Sequence, residues 1–483
     1  MPMPESSSSA AVRSPRLAGP KRIGLRPGRP LVHRIGISSG ERQGLRVTGL
    51  PTGLAFDATA GTITGRTSHR GAHKVTVAWE DASGSRSDAI SIVVGDTICL
   101  TPPVGWNSWN VFGIAVSEAD VRRQAIALIE TGLADRGFTA VNIDDGWQGD
   151  RDGRGRLQAN DKFGDLATLC ADLNALGLRA GIYSSPGPTT CGGFPGSLGR
   201  ETQDARSFAN WGFDYLKYDW CSAGPIDNST AVEVIAAPYA LMRRALDRVD
   251  RDIVYHLCEY GFGDAWTWAR DRVGANAWRT TGDIEDSWAS VERIGFGQAD
   301  LAPYAGPGGW NDPDMLVLGH VGGGWYQPMR ETHLTPDEQR THLGLWTILA
   351  APLLLGCDLT TLDAETLALL SNEEVLEVHQ DLLGRQARRV FVRGFVEAWR
   401  KDLADGSSVI GIFARGEAVT ASVEWQELGL RTPAIVRDLW SRRDLDAPVG
   451  WEAALPTHGS ALLRVWPAHS TGRPLAPAAS SDA

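Results

Sequence analysis

Asp219 and Asp283 are the two acids whose neighbours best suit them to covalent and acid/base chemistry. Asp219 lies two residues after Lys217, and side chains at i and i+2 of a strand point the same way. A nearby ammonium favours the ionised carboxylate, which is the form a nucleophile requires. Asp283 follows Gly282 and precedes Glu285 and Asp286. Carboxylates crowded around it would raise its pKa and keep it protonated for acid catalysis. Such a pair is what glycosidic-bond hydrolysis typically uses, with the carboxyls about 5–5.5 Å apart in the retaining form. On these residues alone, the opposite assignment of roles fits equally well.

Other acids and indoles recur in the same setting. Short apolar stretches, each a predicted strand, run into Trp106-Asn107-Ser108-Trp109, Asp144-Asp145-Gly146-Trp147, Tyr183-Ser184-Ser185, Lys217-Tyr218-Asp219-Trp220-Cys221, Cys258-Glu259-Tyr260, Trp278-Arg279 through Asp283, and Trp310-Asn311-Asp312-Pro313-Asp314. A single Asp after a strand is usually a helix N-cap. Acids or indoles at six of seven strand ends are harder to explain that way. Carboxylates accept hydrogen bonds from hydroxyls and indole faces pack on the C–H face of a pyranose, so the combination suits a sugar.

The elements that must position these residues follow from the pattern between about 101 and 380. Predicted strands are Gly105–Trp109, Ala140–Ile143, Arg179–Tyr183, Tyr215–Tyr218, Ile253–Leu257, Ala277–Thr280, Gly309–Trp310 and Pro352–Leu355. Helical patterns fit between them: Glu118–Thr131, with Val121, Ala125, Leu128 and Ile129 on one face, Leu166–Leu176 and Pro238–Val249. Eight such units over this length predict a (β/α)8 barrel, which carries its reactive groups at the C-terminal ends of its strands. An open doubly wound sheet is the alternative; no G-x-G-x-x-G follows the first strand, which disfavours its dinucleotide-binding version.

Flanking regions are β-prone. Before the barrel, Leu45–Thr48, Thr62–Thr64, Lys74–Trp79 and Ala89–Val94 are separated by the turn formers Pro51-Thr52-Gly53, Ala60-Gly61 and Ser83-Gly84, which suggests a small sandwich. After it, Arg389–Val396, Glu397–Lys401, Ser408–Phe413, Val419–Val423 and Ala461–Trp466 predict a compact antiparallel domain. The expected division is a disordered tail at 1–20, an all-β module at 21–98, the barrel at 99–384, a β-sandwich at 385–468 and a flexible tail at 469–483.

Bulk properties narrow the partners. A net charge of −11 without a dense Lys/Arg run argues against nucleic acid as a ligand, since phosphate binding needs a basic face. Acidity also disfavours anionic membranes, and no run of about 18 apolar residues predicts a transmembrane helix. The N-terminal stretch lacks the apolar region of a secretory signal, which leaves the location open. The six cysteines are widely spaced without a CxxC pair, so no zinc ribbon or redox motif is indicated. No metal or other cofactor is expected. His256, inside a predicted strand, reads as core. Asn228-Ser229-Thr230 matches a glycosylation sequon, and Gly322-Gly323-Gly324 reads as a flexible loop.

Taken together, the segments PPVGWNSWNVFG at 102–113, NIDDGW at 142–147, GLRAGIYSS at 177–185, CGGFPGS at 191–197, DYLKYDWC at 214–221, LCEY at 257–260, WRTTGDIEDSW at 278–288 and GGWNDPDML at 308–316 closely resemble glycoside hydrolase family 27, the α-galactosidase and α-N-acetylgalactosaminidase family. The segment PTGLAFDATAGTITG at 51–65 resembles bacterial immunoglobulin-like modules. The family resemblance implies a (β/α)8 barrel followed by a β-sandwich, and hydrolysis with retention. It implies Asp219 as nucleophile and Asp283 as acid/base. Trp109, Asp144, Asp145, Tyr183, Lys217, Glu259, Arg279 and Asp314 carry over as sugar-binding positions, with Asp144 and Asp145 holding O4 and O6. Glu259 suits a free 2-hydroxyl and disfavours an N-acetylated sugar. A disulfide between Cys191 and Cys221 is also implied, with Cys258 a buried strand thiol. The chain departs from the family pattern at Trp220, at Ser185 and in the run Tyr260-Gly261-Phe262-Gly263. Trp220 either stacks an aglycone or fills the rim. The expected activity is release of terminal α-D-galactosyl residues. A β-L-arabinopyranosidase or other pyranosidase is the alternative, and a non-catalytic carbohydrate-binding protein the more distant one.

Overall fold

The structure, a computed structural model, describes residues 15–38, 44–81, 84–227, 229–322 and 328–467. Residues 1–14 of the expected tail, Ser83, Asn228 of the sequon, Gly323, Gly324 and everything after 467 lie outside the described residues. The chain forms three β-containing bodies in the order the pattern predicts.

The central body has eight parallel strands: β1 (Val104–Asn107), β2 (Ala140–Asn142), β3 (Arg179–Ser184), β4 (Tyr215–Asp219), β5 (Val254–Cys258), β6 (Ala277–Arg279), β7 (Trp310–Asp312) and β8 (Leu353–Leu355). They lie side by side in the order β7-β6-β5-β4-β3-β2-β1-β8. Just past β7, the Leu316 N–H donates to the Leu354 carbonyl at 2.9 Å and draws the ends of the sheet together. The (β/α)8 reading holds. Helix α1 (Glu118–Glu130) starts where Ser117 and Asp120 cap each other reciprocally. Helix α2 is Leu166–Ala175 and α3 is Glu201–Trp211. Helix α4 (Val232–Leu246) begins before Pro238 rather than at it. Proline usually breaks a helix past its first turn. Here burial of Ile235, Tyr239, Met242 and Leu246 carries the helix across it.

Register sorts the barrel side chains. Tyr215, Lys217 and Asp219 on β4 lie beside Val254, His256 and Cys258 on β5, and paired neighbours share a face. The opposite face, bearing Trp106, Leu216, Tyr218, Leu257 and Trp278, packs under the helices.

The N-terminal module has a four-stranded sheet (Arg22–Leu25, Gly84–Val94, Gly71–Asp81, Arg46–Thr48) and a three-stranded one (Pro30–Arg34, Thr62–Arg66, Leu54–Asp57). They enclose Ile63, Val75, Val77, Trp79, Ile90 and Ile92. Pairing begins earlier than expected, at Leu17–Ala18 against Gly36–Ile37. This module docks under the barrel, against loops that lead into its strands. Arg34 donates to buried Asp135 and to the Leu176 carbonyl, each at 2.8 Å. Main-chain N–H of Arg26 donates to Asp252 at 2.8 Å. At Gly36 a Cβ would fall 1.7 Å from the Asp135 carbonyl oxygen, so only glycine permits this approach. Ile98 packs on Tyr215 and Val254, and Cys99 on Ala277, Trp310 and Ala350, closing the barrel floor.

The C-terminal body is an antiparallel sandwich. A six-stranded sheet runs Arg388–Arg393, Val396–Asp402, Ser408–Ala414, Ser460–Pro467, Pro433–Asp438 and Arg443–Leu445, and a pair is formed by Val419–Glu424 and Gly450–Leu455. It leans on the barrel where Trp288 stacks on His458 at 4.1 Å and buried Arg437 bonds Glu374 at 2.6 Å.

Candidate active site

Asp219, the last residue of β4, is buried at the C-terminal end of the barrel. Both carboxylate oxygens accept phenol hydrogen bonds: Oδ2 from Tyr183 at 3.1 Å and Oδ1 from Tyr260 at 2.8 Å. Lys217 shares its face, but its ammonium donates to Asp144 Oδ2 at 3.0 Å. Asn107 donates to the same oxygen at 2.8 Å, and Ser108 Oγ accepts the Asp144 N–H. Lys217 therefore acts on Asp219 through space and not as its ion-pair partner. Burial, the largest influence, pushes the Asp219 pKa up; Lys217 pulls against that and Asp283 adds to it.

Asp283 reaches the cluster from the loop after β6. Its carboxylate pairs with Arg279 Nη2 at 3.0 Å, and its side chain is 63% exposed. Burial opposes the shift, but Arg279 and then Lys217 hold its pKa below the usual carboxylate range. This corrects the expectation drawn from sequence neighbours. Asp286 turns away from Asp283, accepting hydrogen bonds from Arg330 at 2.6 Å and from the His333 N–H at 2.8 Å.

Arg279 is the hub of this side. Buried on β6, it also pairs with Asp314 at 3.1 Å and donates to Cys258 Sγ at 3.5 Å. Asp314 has a positive φ of 84°, costly for a residue with a Cβ. Its N–H is tied to Asp312 at 2.8 Å, and its Oδ2 accepts the Ile284 N–H at 2.9 Å. Burial raises its pKa to about 6, with Arg279 opposing. Asp145 is also raised to about 6, chiefly by burial. It accepts the Gly192 N–H at 2.6 Å, and a Cβ at Gly192 would lie 3.0 Å from the same carboxylate. Cys191 and Cys221 form the implied disulfide, with Cα atoms 5.0 Å apart.

Asp144, Asp145, Tyr183, Lys217, Asp219, Arg279, Asp283 and Asp314 are thus brought together. Trp109 stands half-buried at the start of the short helix Trp109–Phe112. Glu259 is set apart. It is fully buried beneath the turn, beside its own and the Gly261 N–H, and burial drives its pKa well up against the pull of Arg279. The β5 residue on the Asp219 face is Cys258, whose thiol lies in the field of Asp219, Arg279 and Lys217. Strand alternation carries that signal, because Cys258 is two residues from His256 and level with Asp219. Most strand-end indoles are framework. Trp106, Trp147 and Trp278 are fully buried and bond the Cys357 carbonyl, the Tyr183 carbonyl and Asn311. Trp220 fills the rim, tilted against Tyr239 with its N–H on the Gly224 carbonyl.

Comparison with known proteins places the chain in a family. The family described as Alpha galactosidase A matches residues 101–381, its C-terminal β-sandwich matches 393–465, and an Ig-domain family matches 36–95. The chain belongs to the alpha galactosidase A family. Alpha-galactosidase 3 of Arabidopsis thaliana is 41% identical over 75% of this chain and 80% of its own. A Bacteroides fragilis structure with the provisional name alpha-galactosidase/melibiase superposes with a TM-score of 0.88 at 35% identity, over 93% of this chain and 97% of that one. A β-L-arabinopyranosidase of family 27 from Geobacillus stearothermophilus superposes with a TM-score of 0.69 at 28% identity, over 76% of this chain and 98% of that one. Among the described residues, no helix is long and apolar enough to cross a membrane.

Proposed function

We propose that this protein is a retaining glycoside hydrolase that releases terminal α-D-galactosyl residues by double displacement. The observation that carries the reading is a buried carboxylate, Asp219, within the influence of an exposed one, Asp283, in a cluster of further acids held by Lys217 and Arg279. A carboxylate oxygen of Asp219 attacks the anomeric carbon. Asp283 gives its proton to the glycosidic oxygen, the C–O bond to the aglycone breaks, and the alcohol leaves. Asp283, now ionised, then takes a proton from water, whose oxygen attacks the same carbon and frees Asp219 as carboxylate. Asp144 and Asp145 accept from the sugar's O4 and O6 hydroxyls, and Cys258 with Arg279 borders the opposite side. Trp109 supplies the half-buried indole at the rim.

Burial raises the Asp219 pKa, while Arg279 and Lys217 draw that of Asp283 down. Coupled acids titrate as a set, and only molecules with the proton on Asp283 are productive. An arabinopyranoside lacks the C6 hydroxymethyl that Asp145 would hold, which makes it the second reading. Purified protein is therefore offered p-nitrophenyl α-D-galactopyranoside and p-nitrophenyl β-L-arabinopyranoside. Faster release from the first is expected. Asp219→Gly should lose on the order of 10⁴-fold or more of the rate, and added azide should restore turnover with a galactosyl azide of inverted anomeric configuration. Preference for the arabinoside sinks the substrate assignment; an active Asp219→Gly sinks the nucleophile.

A further inference from the structure

Tyr260 is the one residue of the cluster that departs from the family pattern and yet touches the nucleophile. Its hydroxyl donates to Asp219 Oδ1 at 2.8 Å, the shorter of the two phenol bonds to that carboxylate. The main chain is bent to bring it there. Tyr260 has φ 61°, a left-handed conformation rare outside glycine. Gly261 follows at φ 84°, where a Cβ would lie 2.2 Å from the Thr280 carbonyl oxygen. Backbone strain of this kind persists only where the surroundings enforce it. The disulfide backs both phenols: Cys221 Sγ lies 3.3 Å from the Tyr183 hydroxyl and Cys191 Sγ 3.7 Å from that of Tyr260. Burial raises the Tyr260 pKa far beyond neutrality, so the group stays a donor.

We propose that Tyr260 is a catalytic residue whose hydroxyl supports Asp219 as the leaving group of the second displacement. The role rests on Asp219 being the nucleophile. In the first step the carboxylate spends its charge in forming a C–O bond, so a donor on it gives the transition state less than it gives the resting enzyme. In the second step the ester C–O bond breaks and the electron pair returns to Asp219. A donor already aimed at that oxygen meets the charge as it develops, which is where preorganised hydrogen bonds accelerate most. Loss of the hydroxyl therefore slows release of the sugar more than its capture.

Tyr260→Phe, which removes one oxygen and no bulk, tests this on p-nitrophenyl α-D-galactopyranoside. Hydrogen bonds to charged groups predict a fall in kcat of about tenfold or more, with KM falling alongside so that kcat/KM moves by less than about threefold. A burst of one p-nitrophenol per enzyme should become visible, and azide should accelerate steady turnover in the variant but not in the parent. A residue that only shapes the rim would move neither burst nor azide response. Unchanged kinetics, or a fall in kcat/KM with KM level or higher and no burst, overturns the role. Asp219→Gly is run alongside. If it turns over like the parent, the reading of the site fails and takes Tyr260 with it. If it is inactive while Tyr260→Phe behaves as the parent, only the role of Tyr260 fails.

Discussion

The two ends of the barrel are built on opposite electrostatic plans. At the floor, charges meet partners and apolar groups fill the rest. Arg34 is on Asp135, Arg251 on Asp214 and Arg26 on Asp252, around the plug of Ile98 and Cys99. At the rim, Asp144, Asp145, Asp219, Asp283 and Asp314 crowd around two cations, Lys217 and Arg279. Burial pushes Asp145, Asp219 and Asp314 toward protonation. The floor matches its acids to cations, although burial raises Asp214 there too, whereas the rim gathers more acids than cations where a sugar's hydroxyls and anomeric carbon will be. The N-terminal module belongs to the first plan, for it docks on the end of the barrel away from the chemistry.

Substitutions at the two ends should break function and stability separately. The largest effect after loss of the nucleophile is expected at Asp283. Asp283→Ala should lower turnover of unactivated galactosides by about 10²–10⁴-fold, the usual worth of a positioned acid/base. A dinitrophenyl galactoside, whose leaving group needs no proton, should lose far less in the first step. Equal losses on both substrates, measured by pre-steady-state kinetics, would remove Asp283 from proton transfer.

At the floor, Arg34→Ala takes the guanidinium from buried Asp135. Breaking one side of a buried pair typically costs about 3–5 kcal/mol, read by denaturant unfolding. The kcat of the protein that remains folded should stay at the parental value. A matching fall in kcat would mean that the floor and the rim are not independent.

The smallest effect sharpens the contrast at Asp145. Its folded pKa of about 6 lies above the ordinary 3.8. Between those values the folded state holds more protons than the unfolded one, so stability falls as pH rises through that window. Asp145→Asn escapes this cost and should be more stable than the parent by about 1–3 kcal/mol at pH 7, with the gain gone near pH 4. Its hydrolytic activity should fall, by less than that of Asp283→Ala. A variant less stable than the parent at both pH values would show that the Gly192 contact outweighs the burial of charge.

Much of this protein was legible in one dimension, where the signals are local. Short apolar runs and the turns after them mark the barrel strands to within a few residues, and the (β/α)8 order follows from their spacing. Lys217-Tyr218-Asp219 on one strand, and Asp283 ahead of Glu285 and Asp286, already single out the two central acids. Helix α4 shows a limit of such signals. Pro238 reads as a start, but buried contacts from Ile235 to Leu246 override it.

Groups distant in sequence decided the rest. Lys217 was read with Asp219 two residues away, but it pairs with Asp144 on another strand. Asp283 was read with Glu285 and Asp286, but Arg279 governs its charge while Asp286 faces Arg330. Glu259 was expected at the sugar, and the register of β5 puts Cys258 on that face instead. Tyr260 gained its bond to Asp219 only through a left-handed turn after the strand. Chain order determined which elements form and which acids stand at their ends, because propensity and periodicity act over a few residues. Protonation, pairing and the direction in which each side chain faces were decided by the tertiary structure. Burial and Coulomb forces act between neighbours in space, and around this site those neighbours come from different strands of the barrel.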